Sequence, residues 1–167
     1  MDVSGDIAKI ARQEATLVFP SFDEATAFAI GSAIRERGLR DKSPIVIDIR
    51  TFDRPLFYAA LPGSTADNAN WARRKRNVVQ NFHKSTYRMV LEQQRPDRSF
   101  KVGEGLDIAD YVLAGGGFPV TVKGAGVIGA ITVSGLPERD DHGVVVEAIC
   151  NYLRLDAAEL ALPPEAK

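Results

Sequence analysis

Two short apolar runs, residues 45–49 and 55–61, constrain the fold of this chain more than any other feature. Only five residues separate them, and both contain the β-branched and aromatic side chains typical of strands. A parallel return to the same sheet needs a crossover of about a dozen residues or more. The two runs therefore predict an antiparallel hairpin, and a chain built around one tends toward an antiparallel sheet.

Helical patterns surround this hairpin. Apolar residues at helical spacing predict a first helix over residues 3–11, and the apolar run 17–19 that follows predicts an edge strand. The spacing from Ser21 to Glu24 is that of a capping box, which predicts a second helix that ends at Gly38. After the hairpin, Asp67 or Asn68 is expected to cap a third helix, and another helix is predicted over residues 85–94.

The last third of the chain is rich in strands. Two or three are predicted, including 118–122 and 127–133 on either side of a turn, before a closing helix over 144–153 that Asp140 and Asp141 are placed to cap. The order of elements lacks the strict strand–helix alternation of a doubly wound parallel sheet. It favours an α+β fold, an antiparallel sheet covered by helices, in one domain over residues 1–160 with a loose tail at 161–167.

Composition excludes several classes of function. With 21 basic and 22 acidic side chains the net charge is −1, so the chain as a whole is not drawn to nucleic acid or to an anionic membrane. Its one cysteine, Cys150, lies in an apolar run and is expected to be buried. The N-terminus lacks the pattern of a signal peptide, and the most apolar stretch is shorter than the roughly 20 residues of a membrane helix. We expect a cytoplasmic protein.

The glycines of residues 124–129 match the dinucleotide fingerprint G-x-G-x-x-G letter for letter. That motif binds pyrophosphate only where a helix begins at the glycines, since the helix N-terminus holds the anion. Strand-forming residues follow Gly129 here, so we predict an extended strand from Gly126 to Val133 and no nucleotide site.

A basic run, Arg73 to Arg76, lies in the third predicted helix. Consecutive residues on a helix are about 100° apart, so the run spreads around the axis and does not form one patch for nucleic acid. Either it lies on a solvated or subunit-facing surface, or one or two of its members hold a small anion such as phosphate, carboxylate or a haem propionate. The two histidines, His83 and His142, lack the spacing of a multidentate metal site. Each is either a packing or capping residue or a single axial ligand to haem iron.

Several segments, taken in order along the chain, form one recognisable series. They are Leu56-Phe57-Tyr58, Pro62-Gly63, Asp67-Asn68, Trp71, Arg74-Lys75, Asn77, Gly105-Leu106-Asp107, Asp110-Tyr111, Gly115-Gly116, Phe118-Pro119, Gly129, Ile131-Thr132-Val133-Ser134-Gly135-Leu136-Pro137, Asp141-His142 and Val145-Val146-Glu147. Together these segments resemble the GlcG/HbpS-like family, in the uncharacterised subgroup labelled haem-degrading. The resemblance covers residues 19–153.

The resemblance implies a profilin-like fold, a five-stranded antiparallel sheet between helical layers, in homodimers or higher oligomers. The resemblance also implies a histidine, present in many members of the family, immediately before the Gly-Gly-x-Phe-Pro segment, where this chain has Ala114. A second reason to expect an oligomer lies in the residues themselves: the closing helix is apolar around most of its circumference, more than one buried face requires.

Two functions stay open at this point. One is binding or processing of haem, with Arg74 and Lys75 for the propionates and His142 or His83 for the iron. The other is a non-enzymatic oligomeric module that binds a small anionic metabolite or a protein partner. In either case we expect the ligand between residues 62–68, the helix turn that follows, and residues 115–119. The candidate ligand-binding residues are Asn68, Trp71, Arg74, Lys75, Gly116, Gly117, Phe118 and His142.

Overall fold

The computed structural model describes residues 2–164. Helices and strands follow one another in an α+β order, as the sequence predicts. In chain order they are α1 (Val3–Thr16), β1 (Val18–Phe19), α2 (Glu24–Arg40), β2 (Val46–Thr51), β3 (Arg54–Ala60), α3 (Ala66–Phe82), α4 (Thr86–Gln93), β4 (Gly117–Val122), β5 (Gly126–Ser134), α5 (Glu138–Leu153) and α6 (Ala157–Leu160).

The five strands form one open sheet in the order β1-β4-β5-β2-β3. The predicted hairpin is confirmed, because β2 and β3 pair antiparallel from Val46↔Ala60 to Thr51↔Arg54. The prediction of a fully antiparallel sheet is wrong: β1 pairs with β4 in parallel, which makes the sheet mixed. A short connection forces the antiparallel direction only on β2–β3 and β4–β5, whereas the long chain between β1 and β4 permits either direction.

Helices cover both faces of the sheet. On one face α2 and α5 pack together, and Phe57 of β3 lies against Gly31 of α2, where an added Cβ would come within 2.3 Å of the Phe57 ring. On the other face α3 reaches β2, where Arg76 contacts Asp48. Cys150 of α5 is buried in the core, as predicted, and burial raises the pKa of its thiol.

The glycine-rich segment is a strand, as predicted. β5 runs from Gly126 to Ser134, and Gly129 lies beside β2, where an added Cβ would come within 2.0 Å of the Arg50 carbonyl oxygen. Close approach of two strands therefore explains this glycine, and no helix begins at it.

The predicted helix termini of α2 and α3 need correction. The N-cap of α2 is Asp23, whose carboxylate accepts a hydrogen bond from the Thr26 N–H at 2.9 Å, so the predicted capping box from Ser21 to Glu24 is wrong. Gly38 lies inside α2, which continues to Arg40. An added Cβ at Gly38 would come within 2.5 Å of Leu61, so this glycine allows close packing and does not end the helix.

The N-cap of α3 is Thr65, which accepts from the Asp67 N–H, so neither Asp67 nor Asn68 is the cap. The Asn68 side chain instead accepts from the Thr65 N–H at 2.9 Å and completes a capping box. The usual capping box has Glu or Gln at the third helical position, whereas this one has Asn68. The sequence therefore pointed to the wrong N-cap residue.

The closing helix α5 begins at Glu138, after Pro137, and not at Val144. Asp140 and Asp141 therefore lie within its first turn and do not cap it. The apolar circumference of α5 packs against α2, β4, β5 and α6 of the same chain. The helix alone therefore gives no reason to expect a partner subunit.

The chain after α6 contacts the body of the protein as far as it is described. Leu162 packs beside Ile10, and the Pro163 carbonyl accepts a hydrogen bond from Arg139. The loose tail expected over 161–167 stays a prediction for residues 165–167, which lie outside the described residues. Among residues 2–164, no helix has the length and apolar character needed to cross a bilayer.

Candidate functional site

An open groove of about 1090 Å³ lies beside the N-terminal half of α5. We call it the α5 groove. Helices α1, α4 and α5 line it together with the chain after α6. The lining residues used below are Gln13, Tyr87, Arg98, Arg139, His142 and Leu162.

The charges of the α5 groove balance one another. Three arginines and three acidic residues line it, and each arginine has an acidic partner. Arg37 pairs with Glu147, Arg98 with Glu138 at 3.0 Å, and Arg139 with Asp6 at 2.7 Å. The groove is therefore not a general anion site, and a ligand with a large apolar body suits it better than a small, highly charged one.

His142 lies in the wall of this groove with no solvent exposure. Its ring is 5.5 Å from the Tyr87 ring and 5.9 Å from the Phe118 ring, measured between centroids. The Nε2 atom lies 2.8 Å from Oε1 of Gln13, whose amide nitrogen donates to the Leu160 carbonyl at 2.7 Å. Since Gln13 Oε1 can only accept, His142 Nε2 carries the proton and Nδ1 carries the free lone pair.

That lone pair is unused: Nδ1 of His142 is buried and has no hydrogen-bond partner among the described residues. Burial, and secondly the positive charge of Arg139, lower the pKa of His142 to about 3. The imidazole is thus neutral at physiological pH, which is the form that binds metal ions. A neutral imidazole with a free nitrogen in the wall of a large groove is the feature of this protein best suited to ligate iron.

A buried ion pair lies close to this histidine. Lys75 of α3 donates to Asp141 of α5 at 3.0 Å and to the Val133 carbonyl at 3.1 Å, and both side chains are almost fully buried. Asp141 also accepts from the Leu136 N–H at 3.0 Å. Burial lowers the pKa of Lys75 and raises the pKa of Asp141, and their mutual attraction opposes both shifts.

Gly116 makes room for this pair. It has φ of 126°, and an added Cβ would come within 2.3 Å of the Val133 oxygen and 2.9 Å of Lys75 Nζ. The predicted proximity of Lys75 to the glycine segment is therefore observed, but the lysine is engaged inside the protein. Its contacts are those of a residue that joins α3 to α5.

The other predicted residues of α3 lie apart from this pair. Asn68 is part of the helix cap, and the Arg74 guanidinium lies 4.9 Å from the Trp71 ring centroid while its Nε donates to the Ile108 carbonyl at 2.8 Å. Arg73 contacts Asp110 at 2.8 Å. The basic run thus spreads around α3, as predicted. The residues of the predicted ligand site therefore lie in two separate places, one on α3 and the other beside α5.

His83 has different contacts from those of His142. It is the exposed C-cap of α3, with φ of 55°, and its ring stacks on Phe52 in the turn between β2 and β3 at a centroid distance of 6.4 Å. Helix termination and stacking account for its position.

The chain is similar to known proteins in sequence and in fold. The family model for HbpS-like haem degrading proteins matches residues 22–150. The chain belongs to that family. A UPF0303 protein of Mesorhizobium japonicum (mlr5144) is 68% identical over 167 residues, covering all of both chains. A UPF0303 protein of Brucella melitensis is 57% identical over 157 residues, 94% of this chain and 93% of that protein.

Solved structures share the fold of this HbpS-like chain at low sequence identity. The crystal structure of Ybr137w matches with a TM-score of 0.80 and 23% identity, covering 89% of this chain and 87% of that one. The crystal structure of HbpS matches with a TM-score of 0.60 and 22% identity, over 79% and 89%. That of the complex of PduOC with haem matches with a TM-score of 0.64 and 20% identity, over 80% and 94%.

Sequence reasoning missed the residues of α1 and α4 that complete the groove of this HbpS-like protein. Gln13 and Tyr87 contact His142, and Asp6 pairs with Arg139. One signal was available: Asp6 and Gln13 lie four residues before and three residues after Ile10, and so on the apolar face of α1. Polar residues on a buried helix face must find partners, which marks them as candidates for a site.

Ala114, where the resemblance leads us to expect a histidine, is buried and does not line the α5 groove. At the next residue, Gly115, an added Cβ would come within 2.9 Å of Tyr87, which does line it.

Proposed function

We propose that this HbpS-like protein binds haem in the α5 groove, with His142 as the iron ligand. The single observation that carries the proposal is the free Nδ1 lone pair of a buried, neutral imidazole in the groove wall. The family match and the haem complex of the PduOC structural neighbour support haem as the ligand. Bound through one histidine, haem supplies iron-centred ligand-binding and electron-transfer chemistry.

The size and lining of the groove fit the group. A volume of about 1090 Å³ is slightly above the usual range of small-molecule sites, roughly 300–1,000 Å³, and leaves room for a large ligand. Apolar residues such as Leu91 and Leu162 supply contact for a macrocycle. For the propionates, Arg98 is better placed than Arg139, because 44% of its side chain is exposed against 12%. Arg98 thus replaces Arg74 and Lys75, neither of which lines the groove.

Full burial of His142 implies that binding begins with local opening of the wall. Gln13 holds the imidazole and the Leu160 carbonyl together, and Arg139 holds the Pro163 carbonyl. Displacing the chain after α6 therefore exposes the ring. We expect haem association to be slow and, at high haem concentration, limited by this opening and not by diffusion.

Titration of the protein with haemin tests the proposal. We expect a saturable Soret band with the spectrum of histidine-ligated haem in the wild type, its loss in His142→Leu, and its retention in the matched variant His83→Leu. Both variants replace an imidazole by a side chain of similar volume, and circular dichroism checks that each is folded. Loss of the band in His83→Leu alone, or identical spectra in all three proteins, would contradict the proposal.

A second function has an observation of its own. Trp71 and Arg74 form an aromatic–guanidinium pair at the accessible end of α3, next to Asn68. This arrangement suits a small anionic metabolite held by a non-enzymatic oligomeric module. A wild-type protein that fails to bind haemin and remains a tight oligomer would favour it. The cytoplasmic location and the self-association predicted from the sequence belong to both proposals.

A further inference from the structure

The face of the sheet that carries α3 is only partly covered. Helix α3 packs mainly over β4 and β5, and on β3 the side chains of Tyr58 and Ala60, which lie on this face, are exposed. Tyr58 is the register partner of Asp48 on β2, and residues directly opposite on neighbouring strands share one face. Neither Tyr58 nor Asp48 lines the α5 groove, so this surface is separate from the proposed haem site.

Two arginines share one buried carboxylate at this surface. Arg50 Nε lies 3.1 and 3.2 Å from the two oxygens of Asp48, and Arg76 donates to Asp48 Oδ2 at 3.4 Å. Within residues 2–164, Asp48 is the only acidic group that pairs with either guanidinium. Two positive charges against one negative charge leave one positive charge in excess. We call these three residues the Asp48 cluster.

The excess charge of the Asp48 cluster is held partly out of water. The side chains of Arg50 and Arg76 are 22% and 17% exposed, and that of Asp48 is 5% exposed. Burial, and secondly the positive charge of Arg50, lower the pKa of Arg76. Since a guanidinium does not lose its proton in a protein, the repulsion between the two arginines persists at every physiological pH. An anion beside them would reduce it.

The free donors of Arg50 have the geometry of a carboxylate site. Arg50 contacts Asp48 through Nε, and its two terminal nitrogens donate to no acceptor in the described part of the chain. These nitrogens form a planar fork that matches the two oxygens of a carboxylate. The β2–β3 ladder has a bulge at this point, where Leu56 is the extra residue between the partners of Ile49 and Arg50. Bulges increase the local twist and change the direction of nearby side chains.

A second unused polar group lies on the other side of Asp48. Thr132 of β5 is the other register partner of Asp48, and its hydroxyl is buried without a hydrogen-bond partner among residues 2–164. The one other buried side-chain atom in this condition is His142 Nδ1. Buried polar atoms of native proteins are nearly all hydrogen-bonded. The row around Asp48 therefore carries more donors than the described acceptors of the chain use.

We propose that Arg50, Arg76 and Tyr58 bind a small aromatic carboxylate. One carboxylate balances the single excess charge of the Asp48 cluster, whereas a phosphate ester, with a charge of about −1.5 to −2, exceeds it. Tyr58 is 53% exposed and offers its ring to an aromatic ligand. Tyr58 and Arg50 are diagonal neighbours across the ladder, a separation of roughly 7–8 Å that an aromatic ring with one carboxylate spans. This site does not depend on haem.

Titration of the isotope-labelled protein with benzoate, followed by NMR, tests the proposal. We expect saturable shifts of amides in residues 48–58, with benzyl alcohol, which lacks the charge, and inorganic phosphate, which lacks the ring, at least about tenfold weaker. Arg50→Gln should weaken benzoate binding by roughly tenfold or more. The matched control is Arg73→Gln, because Arg73 pairs with Asp110 and not with Asp48; it should bind benzoate like the wild type.

Tyr58→Leu gives a second test that does not depend on the ion pairs. The position is exposed on an edge strand, so this variant stays informative even where Arg50→Gln does not fold, and it should also weaken benzoate binding severalfold. No saturable shift with benzoate at millimolar concentration would overturn the proposal. Equal affinity for benzyl alcohol or phosphate, or unchanged affinity in folded Arg50→Gln and Tyr58→Leu, would overturn it as well.

Discussion

At the scale of single residues, burial decides what His142 can do. Its pKa is about 3 in the folded protein, against an ordinary value of 6.5. As the pH falls below 6.5 the unfolded chain gains a proton at this residue, while the folded protein does not until the pH approaches 3. The contribution of His142 to stability is therefore complete above pH 6.5 and declines below it, by at most about 1.4 kcal/mol per pH unit.

Urea unfolding between about pH 7 and pH 4 tests this dependence against His142→Gln, which keeps a polar side chain beside Gln13 but does not titrate. The free energy of unfolding of the wild type should fall relative to that of the variant as the pH is lowered. Parallel curves would mean that the imidazole reaches water in the folded protein. The protonation of carboxylates is common to both proteins and cancels in the difference.

Neither the burial of His142 nor its neutral state follows from the sequence. The sequence presents a histidine after two aspartates at a helix start, a position typical of a capping or interface residue. Its actual partner, Gln13, is 129 residues away in α1. A contact over that distance depends on how α1 and the end of the chain pack against α5, which local patterns do not encode.

At the scale of elements, the Lys75–Asp141 pair joins α3 and α5, which both pack against β4 and β5. Lys75→Met removes the positive charge and leaves the buried Asp141 without a counter-charge. We expect a loss of about 3–5 kcal/mol in the free energy of unfolding, measured with urea. The double variant Lys75→Met, Asp141→Asn removes the unpaired charge as well and should recover part of that loss.

A loss below about 1 kcal/mol in Lys75→Met would contradict the role of this pair, because such a value is typical of exposed ion pairs. The outcome also bears on haem binding. Since Lys75 does not line the α5 groove, a folded Lys75→Met protein should keep its affinity for haemin.

The elements themselves were largely predictable, and their ends were not. Strands β2, β3, β4 and β5 follow from runs of apolar residues between turn signals, and the short connections fix their directions. The ends of α2, α3 and α5 depend instead on which of several polar residues accepts the first N–H bond. Asp23 and Thr65 do so, one residue before each helix, where Ser21 and Asp67 have equally suitable side chains.

At the scale of the whole molecule, the surface that we propose binds haem is the α5 groove. The sequence predicted a ligand near residues 115–119, and Phe118 does contact His142 in the groove wall. It placed the rest of the site on α3, because Asn68, Trp71 and Arg74 are close together in the sequence. The groove is built by elements from both ends of the chain, and only the folded structure brings these together.

The structure of the protein crystallised with haemin tests the central claim most directly. We expect density for the macrocycle in the α5 groove, with the iron bound to His142 and a propionate at Arg98. Leu160 and the chain after it should have moved from their positions beside Gln13 and Arg139. Haem bound at Trp71 and Arg74, or iron bound to His83, would contradict the claim.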